Sequence, residues 1–136
     1  MRNRIIAFVA GWTLMALISG GAAAAGTLPA RSSMVSGATI TVKPLSLGAQ
    51  SWKFEVVLET HSGDLSDDLT KNASLVAEGV AASPLEWRGD PPGGHHRKGV
   101  LRFKPLAPAP QSIELRIQRP GEPAARVFRW NLQETR

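Results

Sequence analysis

SWKFEVVLE, at residues 51–59, is the clearest strand pattern in this 136-residue chain. Its large apolar side chains recur at every second position, at Trp52, Phe54, Val56 and Leu58. A β-strand places alternate residues on one face, whereas a helix would scatter these four around its circumference. The pattern therefore predicts a strand with one face against an apolar core and the charged side chains between them in water.

The same alternation recurs before and after this strand, in short segments separated by turn residues. The predicted strands are residues 39–43, 51–59, 73–78, 84–88, 100–104, 112–119 and 125–132. The last two flank Pro120-Gly121-Glu122-Pro123 and are predicted to form a hairpin. About seven alternating strands predict an all-β fold, an antiparallel two-sheet sandwich of the immunoglobulin or cupredoxin-like kind.

The first 25 residues have the pattern of a secretory signal peptide. Arg2 and Arg4 precede an apolar run at residues 5–18, and four alanines at 22–25 follow it. The apolar run is short for a membrane span of about 20 residues. We therefore expect cleavage after Ala25 and a periplasmic or secreted protein with no transmembrane span after cleavage. Residues 26–36 are predicted to be a flexible lead-in, and residues 37–133 a single domain.

The composition excludes several classes of function. The chain has no cysteine, so disulfides, iron–sulfur clusters and thiolate zinc or copper sites are excluded. The net charge is +5, and +3 once Arg2 and Arg4 are removed with the signal peptide. An excess this small, without a basic and aromatic stripe, predicts no nucleic-acid partner. The three tryptophans outside the signal peptide lie in strand patterns, which favours the core over a ligand platform.

Histidine and aspartate in two predicted loops form the best candidate site. His61 follows the strand at residues 51–59, and Asp64 lies three positions further on. His95 and His96 are adjacent in a long loop at residues 89–99. Imidazole nitrogen and carboxylate oxygen suit Cu(II) or Zn(II), so these four residues are predicted metal ligands, with copper before zinc.

A structural role for the same residues remains open. Asp64 could cap a short helical turn between Leu65 and Leu69, with the histidines solvated or bonded to the loop. A third alternative is an anion site formed by Gly93, Gly94, Arg97 and Lys98. Two glycines can aim successive N–H groups at one anion, and the two basic side chains would add positive charge.

The C-terminal hairpin carries several arginines that suit an acidic partner. They are Arg116, Arg119, Arg126 and Arg129, of which the first and last are predicted on the solvent face. Solvation alone also explains such a row. No Gly-x-Ser-x-Gly motif or paired-carboxylate pattern is present, so we expect no enzymatic activity.

Three motifs in the middle of the chain resemble a group of small exported bacterial proteins of unassigned function. The motifs are Thr60-His61-Ser62-x-Asp64-Leu65, Leu85-x-Trp87-x-Gly89 and Pro92-Gly93-Gly94-His95-His96-Arg97-x-Gly99-Val100-Leu101-x-Phe103. The resemblance implies one β-rich exported domain and places the histidines and Asp64 in a common pattern. It implies no activity.

Together these features predict an exported, non-catalytic binding protein. The first hypothesis is a divalent metal at the histidine and aspartate loops. The alternative is a protein-interaction or envelope-assembly module that uses a sheet edge or the arginine hairpin, with structural histidines.

Overall fold

The computed structural model describes residues 28–135, and within them the side chains up to residue 133. The predicted signal peptide, and residues 26 and 27 of the predicted lead-in, lie outside the described residues. No helix within 28–135 is long and apolar enough to cross a membrane. The strands are β1 Arg31–Val35, β2 Ala38–Leu47, β3 Trp52–Thr60, β4 Ala73–Ala77, β5 Val80–Ala82, β6 Glu86–Gly89, β7 His96–Phe103, β8 Ser112–Ile117 and β9 Arg126–Asn131. A one-turn helix, α1 Leu69–Asn72, precedes β4, and a 3₁₀ turn, Leu132–Thr135, follows β9.

Two antiparallel sheets confirm the predicted all-β sandwich. One sheet has the order β1-β2-β3-β7-β6 and the other β5-β4-β8-β9. The predicted C-terminal hairpin is present, with β8 paired to β9 from Ser112 opposite Asn131 to Ile117 opposite Arg126. The chain crosses between the sheets after β3, β5 and β7, so both sheets draw on the whole length of the domain.

The apolar faces of the strands meet between the two sheets. All four predicted core residues of β3 are buried, and they pack with the alternate apolar residues of β2, β7, β8 and β9. Phe54 lies at the centre, edge-on to Phe103 at 5.7 Å and tilted against Trp130 at 5.9 Å between ring centroids. The contact with Phe103 lies within one sheet and the contact with Trp130 joins the two sheets, and both add to the free energy gained by burying apolar area.

Two strands that the alternation does not predict arise from the same kind of turn. β1 lies within the segment predicted as a flexible lead-in, and β5 follows β4. Ser36-Gly37 and Glu78-Gly79 each make a two-residue turn with positive φ at both positions, 50° and 77° in each case. Such turns match the twist of two antiparallel strands, so each folds a short polar or small-residue segment back as an edge strand.

The structure also differs from the sequence-based prediction in where two of the strands begin or end. The loop predicted at residues 89–99 ends at His95, because β7 begins at His96 and pairs with the far end of β3. Pro44 does not end β2, which continues to Leu47 past an irregularity between Pro44 and Ser46. β1 pairs with β2 only as far as Val42. Pro44 lies beyond this pairing, so its missing N–H costs no hydrogen bond to β1.

Candidate functional site

The two loops that carry the predicted ligands meet at one end of the sandwich. The Thr60 amide donates to the His95 carbonyl at 3.0 Å, which extends the pairing of β3 with β7. The Leu65 amide donates to the Gly94 carbonyl at 3.0 Å, and the Gly93 amide donates to the Leu65 carbonyl at 2.9 Å. Sequence patterns left this convergence open, because the alternation says nothing about which loops lie at the same end.

The predicted ligand side chains are not assembled around a common point. His61, Asp64, His95 and His96 are all exposed. Within residues 28–135 no three histidine, aspartate or glutamate side chains are grouped closely enough to hold a metal ion. One of the predicted ligands does lie close to a carboxylate: His96 Nε2 is 3.6 Å from Glu59 Oε1. Glu59 lies opposite His96 in the pairing of β3 with β7, and sequence analysis missed it as a candidate ligand.

Arg97 is turned into the fold at this end. Its side chain is fully buried, and Nη1 donates to the carbonyls of Leu65 at 3.0 Å and Asp67 at 2.8 Å. The guanidinium carbon lies 5.5 Å from the centroid of the Trp87 ring, a cation–π arrangement. Burial lowers the pKa of Arg97, and the nearby carboxylates, Asp67 first among them, counteract this. Arg97 thus fastens the loop after β3 to β7.

These contacts use the donors on which an anion site would depend. The Arg97 guanidinium and the Gly93 amide both donate to backbone carbonyls. The Lys98 amide donates to Asp90 Oδ2 at 2.9 Å, and its ammonium lies 3.8 Å from Glu55. Gly93 and Gly94 do have the positive φ that was expected, 116° and 74°. The glycines shape the turn, the Gly93 amide and Arg97 Nη1 are engaged by backbone carbonyls, and Arg97 Nε is buried without a hydrogen-bond partner in the described part of the chain.

Asp67 and Asp68 fix the segment between β3 and β4. The buried Asp67 carboxylate accepts two hydrogen bonds from Arg119, at 2.8 and 3.1 Å, and this pairing raises the pKa of Arg119. Asp68 is the N-cap of α1, because its Oδ1 accepts from the Thr70 amide at 3.1 Å. The suggestion that Asp64 caps this turn is therefore wrong: the helix begins at Leu69, too far along the chain for Asp64 to cap it.

The tryptophans serve the core, as expected. Trp52 and Trp130 are buried, and Trp87 is half-buried with its indole N–H donating to the Asp90 carbonyl at 2.9 Å. The Trp87 ring lies over Gly99, where an added Cβ would be only 2.6 Å from ring carbon Cζ2. A glycine at this position is thus a packing requirement, because any side chain would collide with the indole.

Each arginine predicted for the C-terminal hairpin has a carboxylate partner. Arg116 and Arg129 lie on the solvent face as predicted, and both bind Glu114, whose pKa these hydrogen bonds lower. Arg119 binds Asp67, and Arg126 binds Glu122. The hairpin is therefore electrostatically matched within the fold, and it does not present a row of unpaired positive charges.

Arg126 connects the two sheets. Its buried guanidinium donates to the carbonyls of Ser33 at 2.8 Å, Ala38 at 2.9 Å and Val35 at 3.2 Å. It also makes two hydrogen bonds to the Glu122 carboxylate, at 2.7 and 2.8 Å. Arg126 shares strand parity with Phe128 and Trp130, so the alternation of β9 already indicated that it points inward. Its role is to hold the β1–β2 hairpin on sheet β5-β4-β8-β9.

β1 leaves one edge of its sheet without a neighbouring strand within residues 28–135. Val35 and Ala38 close the two-residue turn and form a hydrogen-bonded pair. Pairs alternate along an antiparallel ladder, so the N–H and C=O groups of Ser32 and Met34 point away from β2. Met34 and Val35 are also exposed apolar side chains. This edge offers four backbone hydrogen-bonding groups beside exposed apolar surface.

Comparisons with protein-family models, with curated proteins and with solved structures found no match to this chain. The resemblance carried by the three motifs thus stays a prediction.

Proposed function

We propose that this chain is an exported, non-catalytic protein-interaction domain, and that it binds an extended polypeptide segment by strand addition at β1. The outer edge of β1, with the backbone groups of Ser32 and Met34 directed away from β2, is the observation that carries the proposal. Strand addition takes its affinity from main-chain hydrogen bonds and its specificity from alternate side chains.

The contacts of Arg126 support this function, because they hold β1 in place before a partner arrives. The guanidinium binds the carbonyls of Ser33 and Val35 from the side of the core, and leaves the outward groups of Ser32 and Met34 alone. An edge that is already ordered loses less conformational entropy on binding than a mobile segment does. The edge is thus a preorganised template.

Photo-crosslinking in the exported compartment tests the proposal. The full chain carries a photoreactive residue at position 34 in one variant and at position 80 in the control. Met34 on β1 and Val80 on β5 are matched, with exposed fractions of 75% and 71%. We expect a discrete crosslinked polypeptide from position 34, absent from position 80. A Ser32→Pro change removes an outward N–H and should abolish the crosslink; it leaves the backbone ladder of β1 with β2 in place and removes the exposed side-chain hydrogen bond between Ser32 and Thr41.

Two outcomes would contradict the proposal. One is the same set of crosslinks from positions 34 and 80, which would indicate random collision. The other is a crosslink from position 34 that persists unchanged with Ser32→Pro, which would mean that main-chain pairing at β1 is not involved.

A weak divalent-metal site at the loop end is a second candidate function. It is supported by the backbone hydrogen bonds that join the two histidine-bearing loops, and by the 3.6 Å approach of His96 to Glu59. Glu59 lies opposite His96 in the pairing of β3 with β7, and His61 directly follows the last residue of β3. The three side chains would have to move together to bind one ion.

Thermal melts with Cu(II) or Zn(II) test this candidate. A metal at a hundred times its dissociation constant should stabilise the fold by about 2.7 kcal/mol, a rise in Tm on the order of 10 °C. The rise should disappear in a His61→Ala, His95→Ala, His96→Ala variant and shrink with Glu59→Gln. Equal shifts in all variants, or none in the parent, would refute the metal site.

A further inference from the structure

We infer that the segment that docks on β1 is β1 of a second copy of this chain, in an antiparallel pair about a two-fold axis at Ser33. The inference rests on the proposed function of β1 as a docking edge, and it names the partner. The result would be a ten-stranded sheet that runs through two protomers.

Among the sheet edges that residues 28–135 form, β1 is the one whose own residues lack the usual protection against pairing. β5 has three residues and β6 has four, and β6 carries Glu86 and Arg88. The edge strand β9 carries two arginines, Arg126 and Arg129. Short length, charge and coverage are the usual means of blocking an edge. β1 has neither proline nor lysine, and its one charge, Arg31, lies at its end.

The register follows from the outward backbone groups. Residues of two antiparallel strands that exchange both hydrogen bonds must each point their N–H and C=O towards the other strand. In β1 these residues are Ser32 and Met34, and the register that engages both of them within β1 pairs Ser32 with Met34 of the second copy, and Met34 with its Ser32. Four hydrogen bonds form, and Ser33 faces its own symmetry mate in a pair without hydrogen bonds. The strand is self-complementary in this register.

Charge and apolar exposure favour the same arrangement. Antiparallel pairing about Ser33 places Arg31 opposite Val35 of the second copy, whereas parallel in-register pairing would put the two Arg31 guanidinium groups side by side. The exposed Met34 and Val35 side chains lie within the paired segment, where each gains a cross-strand neighbour that reduces its contact with water. The two-fold antiparallel pair is thus the geometry that covers the apolar residues without opposing like charges.

Single cysteines test the register, since the chain has none of its own. In the pair without hydrogen bonds, the two Ser33 Cα atoms would be about 4.5 Å apart, within the range for a disulfide. The two Ser32 Cα atoms would be separated by two further residues along the strand, roughly 8 Å or more, which is too far. The full chain with Ser33→Cys should therefore form a disulfide-linked dimer at least ten times faster than the matched variant Ser32→Cys.

Light scattering on the parent and on Met34→Pro supplies the second measurement. The parent should have twice the chain mass at micromolar concentration. Met34→Pro, which removes an outward N–H and leaves the β1–β2 ladder intact, should be a folded monomer by circular dichroism. A monomeric parent at 100 micromolar together with equal crosslinking of the two cysteine variants would overturn the inference.

The two proposals fail in different ways. If position 34 crosslinks to a different polypeptide while Ser33→Cys does not link to itself, the self-association is wrong and strand addition at β1 stands. If position 34 gives no crosslink that depends on Ser32, and Ser33→Cys reacts no faster than Ser32→Cys, both proposals are wrong.

Discussion

Replacing Arg126 by methionine should strongly destabilise the domain, although the change keeps most of the aliphatic volume. The side chain of Arg126 is 2% exposed and that of Glu122 is 8% exposed, so both charges are removed from water. Without the guanidinium, Glu122 keeps a charge with no partner, and three backbone carbonyls lose a donor. Breaking a buried ion pair in this way costs about 3–5 kcal/mol. For a domain of this size, the loss in Tm is on the order of 20 °C.

The chain offers a matched control on the same strand. Arg129 lies on β9 three positions further on and also binds a glutamate, Glu114, but its side chain is 68% exposed. An exposed pair contributes little, so Arg129→Met should lower Tm by a few degrees at most. A double variant, Arg126→Met with Glu122→Gln, removes the stranded charge and should recover a large part of the loss.

Calorimetry and hydrogen exchange together decide the point. The melt gives the free energy of unfolding, and exchange at residues 31–35 reports whether β1 has loosened from the opposite sheet. Equal losses in Tm for Arg126→Met and Arg129→Met would refute the claim that burial sets the cost. Unchanged protection of β1 in Arg126→Met would refute the claim that this arginine holds the hairpin.

Three further predictions concern packing, acid and the loop end. Gly99→Ala would force a methyl group into the indole that covers it and should cost about 1–3 kcal/mol in urea unfolding, whereas Gly48→Ala, with its nearest neighbour at 3.5 Å, should be nearly neutral. In the folded state, hydrogen bonds from Arg126 lower the pKa of Glu122 from its ordinary value of 4.5. The pair therefore stabilises the fold above about pH 4.5, and this contribution is lost as the pH falls further. The free energy of unfolding, measured from pH 6 to 3, should fall less steeply in Glu122→Gln than in the parent, and an identical slope would contradict this. Arg97→Lys keeps the charge but loses the planar guanidinium that donates to two carbonyls. Its free energy of unfolding should fall by about 1–3 kcal/mol, measured as a lower urea midpoint at unchanged m. A midpoint equal to that of the parent would show that these hydrogen bonds are dispensable.

The strands that alternate strongly could be predicted, because the same faces that read as apolar are the ones that the sandwich buries. β1 and β5 could not, since their residues carry no alternation and their turns have serine or glutamate before glycine in place of the familiar asparagine. Both become strands because a longer neighbour offers a ladder to pair with. That is a tertiary effect, which a local pattern does not contain.

The residues of the candidate site could also be predicted only in part from the sequence. The loops with His61 and His95 do converge, yet the histidine side chains are exposed and dispersed. The residues that organise this end and the β1 hairpin are Arg97 and Arg126, which charge alone assigns to the surface. Both arginines fall at alternate positions with the buried residues of β7 and β9, and this alternation could have indicated that they point inward. An arginine can occupy such a buried position where backbone carbonyls accept hydrogen bonds from its guanidinium.

The contacts of Arg126 have a consequence for the conditions under which this fold persists. They tie positions 33 and 126, which are 93 residues apart, as a disulfide does in many small exported domains. A guanidinium clamp contains no sulfur, so it forms without an oxidant and no reductant can open it. The melting temperature should accordingly be the same in dithiothreitol and in air, and folding should need no thiol oxidase. A domain built this way can reach its final structure on either side of a redox boundary.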